Sequence, residues 1–202
     1  MEVVLATRNR NKIREIEEKI NIPALKFLTL DDFEKFPEVV EDKPTIKGNA
    51  AKKAREVGKF TKKISIADDT GLEVDFLKGA PGVYSARFAG EGCSYLDNNK
   101  KLLKLLKGVE DKNRKARFIT VIAISDGGKK PVLVKGVCSG KISAELKGAK
   151  GFGYDPVFIP SDHNKSYAEM SLALKNKISH RGKALDKAKW LLLRLIKRQK
   201  DL

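Results

Sequence analysis

The stretch ISIADDTGLEVD, Ile64 to Asp75, decides how this chain is read. Its first four residues, Ile64-Ser65-Ile66-Ala67, have the composition of a short buried strand. Two adjacent carboxylates, Asp68 and Asp69, follow at what reads as the strand's end, and then come Thr70 and Gly71. Neighbouring side chains on a strand point to opposite faces, so only one of the two acids can enter a given cleft. A carboxylate there can ligate a hard cation such as Mg²⁺ through oxygen, or act as a general base. Asp-Asp-Thr-Gly is also ordinary turn composition, and the residues alone leave the turn as a competing reading.

Working outward, Val3 to Ala6 reads as another short buried strand. It runs into a polar loop, Thr7 to Asn11, and a helix to about Ile20 with Ile13, Ile16 and Ile20 on one face. Ligands of α/β folds bind at the carboxyl ends of such strands. Thr45 is a fitting N-cap for a helix through Phe60, with Ile46, Ala50, Ala54 and Val57 inward. Gly79 to Gly90 reads as an irregular loop, and Leu96 to Leu106 as an amphipathic helix. Arg117–Ser125 and Pro131–Cys138 read as strands joined by Asp126-Gly127-Gly128, which is good hairpin chemistry. A short strand, Pro156 to Ile159, and a last helix capped by Ser179, with a stripe of Leu185, Ala188, Leu192, Leu195 and Ile196, complete the pass. The order predicts an α/β fold with a mixed central sheet flanked by helices, and a second lobe built on the hairpin. The 202 residues show no linker or repeat, so residues 1–202 are expected to form a single domain of two lobes.

The net charge is +16, from 42 basic and 26 acidic residues. A basic surface attracts phosphates, on nucleic acid or on nucleotides. No apolar run approaches the roughly 18–20 residues of a membrane span, and the first residues do not read as a secretory signal. The two cysteines and two histidines are scattered, which argues against a structural zinc site and fits a cytoplasmic protein with free thiols.

Three further clusters carry chemistry. Thr7-Arg8-Asn9-Arg10-Asn11-Lys12 offers hydroxyl, amide and cationic donors, with backbone N–H groups at a helix start, all suited to phosphate. The glycines of a Walker-type loop are missing. Gly151-Phe152-Gly153-Tyr154-Asp155 places aromatics and a carboxylate on a glycine loop, where a ring can stack on a base and the acid can accept from a ring N–H. Lys175 with His180 and Arg181 adds cationic donors near the start of the last helix. Together these are the parts of a nucleotide site.

The set LATRNRNK (Leu5–Lys12), GNAAKKA (Gly48–Ala54), IADDTGLEVD (Ile66–Asp75), GAPGVYSARFAG (Gly79–Gly90), GFGYDP (Gly151–Pro156) and ISHRGKAL (Ile178–Leu185) resembles the inosine/xanthosine triphosphate pyrophosphatase family nearly end to end. The resemblance implies a mixed α/β fold with two lobes around a deep substrate cleft, and a homodimer. It implies that Thr7, Asn9, Lys12 and Lys53 hold phosphates, and that Asp69 is general base and magnesium ligand with Thr70 beside the substrate. Glu41 would be the second metal carboxylate, with Glu38 and Asp42 as the neighbouring alternatives. Phe152, Gly153, Tyr154, Asp155, Lys175, His180 and Arg181 would form the base and ribose pocket. The activity implied is Mg²⁺-dependent cleavage of ITP, dITP and XTP to the monophosphate and pyrophosphate, which cleanses the nucleotide pool. No specific nucleic acid or membrane partner is expected. Two rivals stand: a non-enzymatic nucleic-acid binder, and a pyrophosphatase for modified pyrimidine or methylated nucleotides.

Overall fold

The computed structural model describes residues 1–34 and 36–200. Its strands β1 (Glu2–Leu5), β2 (Lys26–Leu28), β3 (Ile64–Val74), β4 (Pro81–Gly82), β5 (Lys115–Asp126), β6 (Val132–Ile142) and β7 (Phe158–Pro160) follow the order β2-β1-β3-β5-β6-β7, with β4 paired to β3. Parallel pairing of β1 with β2 and β3, and antiparallel pairing of β6 with β7, make the sheet mixed, as expected. The chain divides into two compact units. One holds residues 1–69, 120–136 and 181–202; the other holds residues 70–119 and 137–180.

The first unit is organised by β1. Val3 pairs with Ile64 and Leu5 with Ile66, and these join Ile16, Ile20, Ile122, Ile124, Leu185, Ala188 and Leu192 in one apolar core. Helices α1 (Arg10–Lys19) and α5 (His180–Lys200) supply its apolar stripes, and α2 (Ile46–Thr61) buries Ile46, Ala50, Ala54 and Val57 in the same unit. Asn9 caps α1, accepting from the N–H groups of Asn11 and Lys12 at 3.0 and 3.3 Å, and Thr45 caps α2 through Gly48 N–H. Gly58 of α2 is required by close approach. A Cβ there would lie 2.8 Å from Gly128 N and 2.9 Å from Ser65 Oγ.

The second unit has its own core of Leu72, Val74, Leu102, Leu106, Phe118, Ile142, Val157, Phe158 and Tyr167. Helix α3 (Tyr95–Leu105) starts with a capping box, Ser94 with Asp97. The buried guanidinium of Arg114 donates to the carbonyls of Leu106, Ile142 and Ser143.

The structure departs from expectation at three places. β3 does not stop at Ala67: it runs eleven residues through the acid pair, so Asp68-Asp69-Thr70-Gly71 is mid-strand, neither a strand end nor a turn. The reason lies beyond the acids, where Leu72 and Val74 are fully buried and continue the strand. A helix absent from the expectation, α4 (Leu172–Ile178), precedes Ser179, which stands in extended conformation directly before His180 at the N-cap position of α5, as expected. The segment Gly79–Gly90 is also less irregular than expected, since β4 (Pro81–Gly82) pairs with Leu72 and Glu73. Helix α3 and strands β5 (Lys115–Asp126) and β6 lie close to their expected positions.

Candidate active site

In the first unit four buried or largely buried charged groups surround the acid pair. Asp68 is 1% exposed. Its Oδ1 lies 3.2 Å from Lys12 Nζ, and its Oδ2 accepts from Arg181 Nε and Nη2 at 3.1 and 3.0 Å. Burial alone would raise its pKa, but Lys12, Arg181 and Lys53 outweigh that, and the carboxyl is held well below its usual range. Arg181 spends its other side on Glu15, Nη1 to Oε2 at 2.6 Å; both are buried. Burial opposes the guanidinium's charge, and Asp68 and Glu15 reverse that and hold it firmly protonated.

Asp69 is different. It is 7% exposed, and Lys53 Nζ stands 3.9 Å from its Oδ1. Burial pushes its pKa up; Lys53 and Lys12 pull it back; Glu41 and Asp68 push again, and the result is about 6. Lys53 Nζ also donates to Glu41 at 2.6 Å and to the carbonyl of Asp68 at 2.8 Å. Burial lowers the Lys53 pKa, yet Asp69, Glu41 and Asp68 together raise it above its ordinary value. Lys12 goes the other way, pulled down chiefly by burial despite Asp68.

Helix α2 builds this arrangement by spacing. Asn49, Lys52 and Lys53 stand at i, i+3 and i+4, so they share a face. Asn49 Oδ1 accepts from Lys43 N–H at 2.8 Å, Lys52 donates to Val40 carbonyl at 2.9 Å, and Lys53 takes Glu41. The acidic loop is thereby pinned with Glu41 beside the Lys53–Asp69 pair. Of the three candidate acids, Glu38 is exposed and Asp42 pairs with Lys43 and Lys52 at the surface, leaving Glu41 in place.

The phosphate loop is only partly as expected. The N–H groups of Asn11 and Lys12 already bond Asn9 Oδ1, so they are not open donors for an anion. Arg8 pairs with Asp31 at the surface, and Arg10 and Asn11 are exposed. Thr7 is half-buried and accepts from Asn9 N–H at 3.2 Å. Lys12 is thus the loop's side chain that reaches the acid pair.

The second unit carries the other constellation. Asp155 is 3% exposed and accepts from Lys175 Nζ at 2.5 Å and from Phe152 N–H at 2.8 Å. Lys175 Nζ also stands 4.8 Å over the Phe152 ring. Gly151 has φ +75°, and a Cβ there would collide with Asp155, so glycine is needed. Gly153 lies on the same loop with φ +63°, and its carbonyl accepts from Asn99 of α3. Tyr154 does not stand ready to flank a base: its ring belongs to the core and its hydroxyl donates to Ser85 carbonyl at 2.9 Å. Phe152, the other aromatic of this loop, is half-buried, with its ring 6.0 Å from the exposed Tyr95 ring. His180 is 2% exposed and stacks on Phe118 at 4.3 Å. Thr70, directly after Asp69, is half-buried on β3. Arg181 belongs to the first unit, with its guanidinium committed to Asp68 and Glu15, rather than to this group.

Three participants escaped the sequence reading: Glu15, Asn99 and Tyr95. Glu15 adjoins Ile16 in the apolar stripe of α1, and a carboxylate placed against a buried helical face was the one available signal.

Buried carboxylates set among lysines and an arginine make the acid pair the most densely charged buried cluster described in the first unit. This chain belongs to the Ham1 family, whose model matches residues 3–190. It is 49% identical over 195 residues to a dITP/XTP pyrophosphatase of Desulforamulus reducens, covering 96% of this chain and 97% of that one. It is 47% identical to a dITP/XTP pyrophosphatase of Bacillus licheniformis, with 95% and 97% covered. Among solved structures, a HAM1 protein from Coxiella burnetii superposes with a TM-score of 0.88 at 37% identity, covering 96% of this chain and 99% of that one.

Proposed function

We propose that this protein is a nucleoside triphosphate pyrophosphohydrolase acting on non-standard purine nucleotides, ITP, dITP and XTP, and so cleansing the nucleotide pool. The observation that carries the reading is the Asp69 carboxyl, raised to about 6 beside Lys53 and Glu41. A carboxylate tuned near the operating pH is ionised at neutrality and basic enough to take a proton from water. The names carried by the curated relatives support the substrate class.

In this reading Lys12 and Lys53 hold the triphosphate oxygens. Asp69 orients a water molecule and accepts its proton as the water oxygen attacks the α-phosphorus. The bond from that phosphorus to the bridging oxygen breaks, and pyrophosphate leaves. The donor set fits Mg²⁺. Among the described residues no group of three or more His, Cys, Asp or Glu gathers, but Mg²⁺ binds through one or two carboxylates completed by phosphate oxygens and water. Asp69 and Glu41 would be those carboxylates, and the ion would polarise the phosphates and offset their charge.

For the base, Phe152 offers a ring face and Lys175 a donor held by Asp155. A donor at purine C6 suits the oxygen of inosine and xanthosine and opposes the amino group of adenine. Sites with buried polar groups reject a mismatched analogue by about 10⁴–10⁵. A homodimer in the cytoplasm, as the resemblance implies, is part of the same proposal.

The test is a panel of purine and pyrimidine triphosphates with Mg²⁺, assayed separately for pyrophosphate and orthophosphate. Pyrophosphate release from ITP and XTP far above that from ATP is expected. Orthophosphate as product, or equal kcat/KM for ATP and ITP, would refute the reading, and a pyrimidine preference would replace it.

A further inference from the structure

Helix α5 has one face unused by anything described above. Ala184, Leu185, Ala188 and Leu192 face the core of the first unit. On the outside, Lys183, Lys187, Trp190, Arg194 and Lys197 are exposed and recur at alternating spacings of four and three. That spacing keeps them in one stripe. The stripe runs about 21 Å, at ~1.5 Å rise per residue.

Its chemistry is one-sided. Asp186 is the sole acid of α5, and it pairs with Lys19 at 2.9 Å. Lys187 donates to the neutral carbonyl of Lys135 and keeps its charge. Among the described residues Arg194 and Lys197 make no ion pair. Trp190 lies near the centre of the stripe, 70% exposed, with no ring partner among the described residues. Solubility accounts for surface lysines. It does not account for a nearly naked indole among them, which leaves a large apolar surface in water.

We propose that this stripe is a docking face for single-stranded nucleic acid, bound without sequence preference. The cations follow the phosphate backbone, and Trp190 stacks on a base, the pairing of elements that such surfaces use. An anionic membrane fits less well. The apolar side of α5 is already buried in the core, and Trp190 and Leu193 alone would remain to enter the lipid. The net charge of +16 adds long-range attraction for the same partner. The proposal is independent of the active-site reading.

Trp190 is the only tryptophan in the chain, so its emission reports on the stripe directly. The experiment titrates the full-length protein with a twenty-nucleotide oligothymidylate at low salt. Saturable quenching is expected. The log–log salt slope should be about −3 if the four cations of the stripe each meet a phosphate, at ~0.7 per contact. Arg194→Ala with Lys197→Ala should reduce the slope to about −1.5. Trp190→Ala, followed with a labelled oligonucleotide, should weaken binding about tenfold or more. Both variants should retain wild-type pyrophosphate release and thermal unfolding, because neither touches the core or the acid pair. Absence of quenching would overturn the proposal. So would unchanged affinity and slope in the variants, competition by pyrophosphate that places the oligonucleotide at Lys12 and Lys53, or quenching by phosphatidylserine vesicles alone.

Discussion

Arg181 is where the sequence and the structure assign different work. Placed beside His180 in ISHRGKAL, it reads as a base-pocket donor. In the structure its guanidinium binds Glu15 at 2.6 Å and Asp68 at 3.0 and 3.1 Å, all three groups being 5% exposed or less. Arg181→Met keeps most of the aliphatic volume and removes the charge together with its donors to Glu15 and Asp68. Breaking a buried ion pair by removing one partner costs about 3–5 kcal/mol. Lys12 remains 3.2 Å from Asp68 and covers part of that loss, so most of the cost falls on Glu15. For a chain of this length ~1 kcal/mol shifts Tm by about 2–4 °C, which gives a fall of about 6–20 °C.

The assay is thermal unfolding at pH 7 alongside kcat/KM for ITP and ATP. The variant should lose stability, and its activity on both nucleotides should fall together. Adding Glu15→Gln should restore part of the lost Tm, because it removes the orphaned charge. Acid titration gives a second readout. Asp68 has a depressed folded pKa, so its contribution is present above its unfolded value of ~3.9 and is lost as pH falls through the folded value. Arg181→Met removes a main cause of the depression and should flatten stability against pH below about 4. A Tm within 2 °C of wild type, combined with a narrowed ITP/ATP ratio, would refute this reasoning and return Arg181 to the base.

Asp69→Asn should lower turnover by about 10²–10⁴ while raising Tm at pH 8 but not at pH 4. A carboxyl raised to about 6 destabilises the fold once pH exceeds its folded value, by about 3 kcal/mol at ~1.36 kcal/mol per pH unit. Wild-type turnover, or no stabilisation at pH 8, would contradict the assignment. Wild-type kcat/KM should rise with pH through about 6 as Asp69 ionises. Lys53→Ala removes the strongest influence favouring that ionisation, so the midpoint should move upward; a midpoint that stays or falls would show that Asp69 is not the titrating base.

The fold was largely legible because its signals are local. The helices α1, α2 and α3 announce themselves through apolar spacing, and α2 also through its cap at Thr45; the caps at Asn9 and Ser94 emerge in the structure. The length of β3 was not legible, because two charged residues in mid-strand contradict every local expectation. Only tertiary neutralisation by Lys12, Lys53 and Arg181 makes them acceptable there. Glu41 is held through three residues of a helix that begins five positions later, a relation no periodicity contains. Tyr154 and Phe152 looked interchangeable in sequence. They separate only because the Tyr154 hydroxyl finds the Ser85 carbonyl in the core.

Asp68 and Asp69 have opposite characters, and strand geometry gives the reason. Alternation turns neighbouring side chains of β3 apart, so Asp68 meets Lys12 and Arg181, while Asp69 meets Lys53 across 3.9 Å with Glu41 competing for the same cation. Burial penalises both charges alike; the partners decide the outcome. Asp68, with two close cations, is fixed as an anion at any pH the protein would work in, and serves as the counter-charge that lets Lys12 be buried. Asp69, whose cation Lys53 is shared with Glu41 and on which Lys12 acts more weakly, is left near 6, where it can change state. Titratable neighbours whose environments push their pKa values apart divide the work into a fixed charge and a movable proton. A lone carboxylate could not do both: pairing it well enough to hold the lysines would depress the pKa that proton transfer needs.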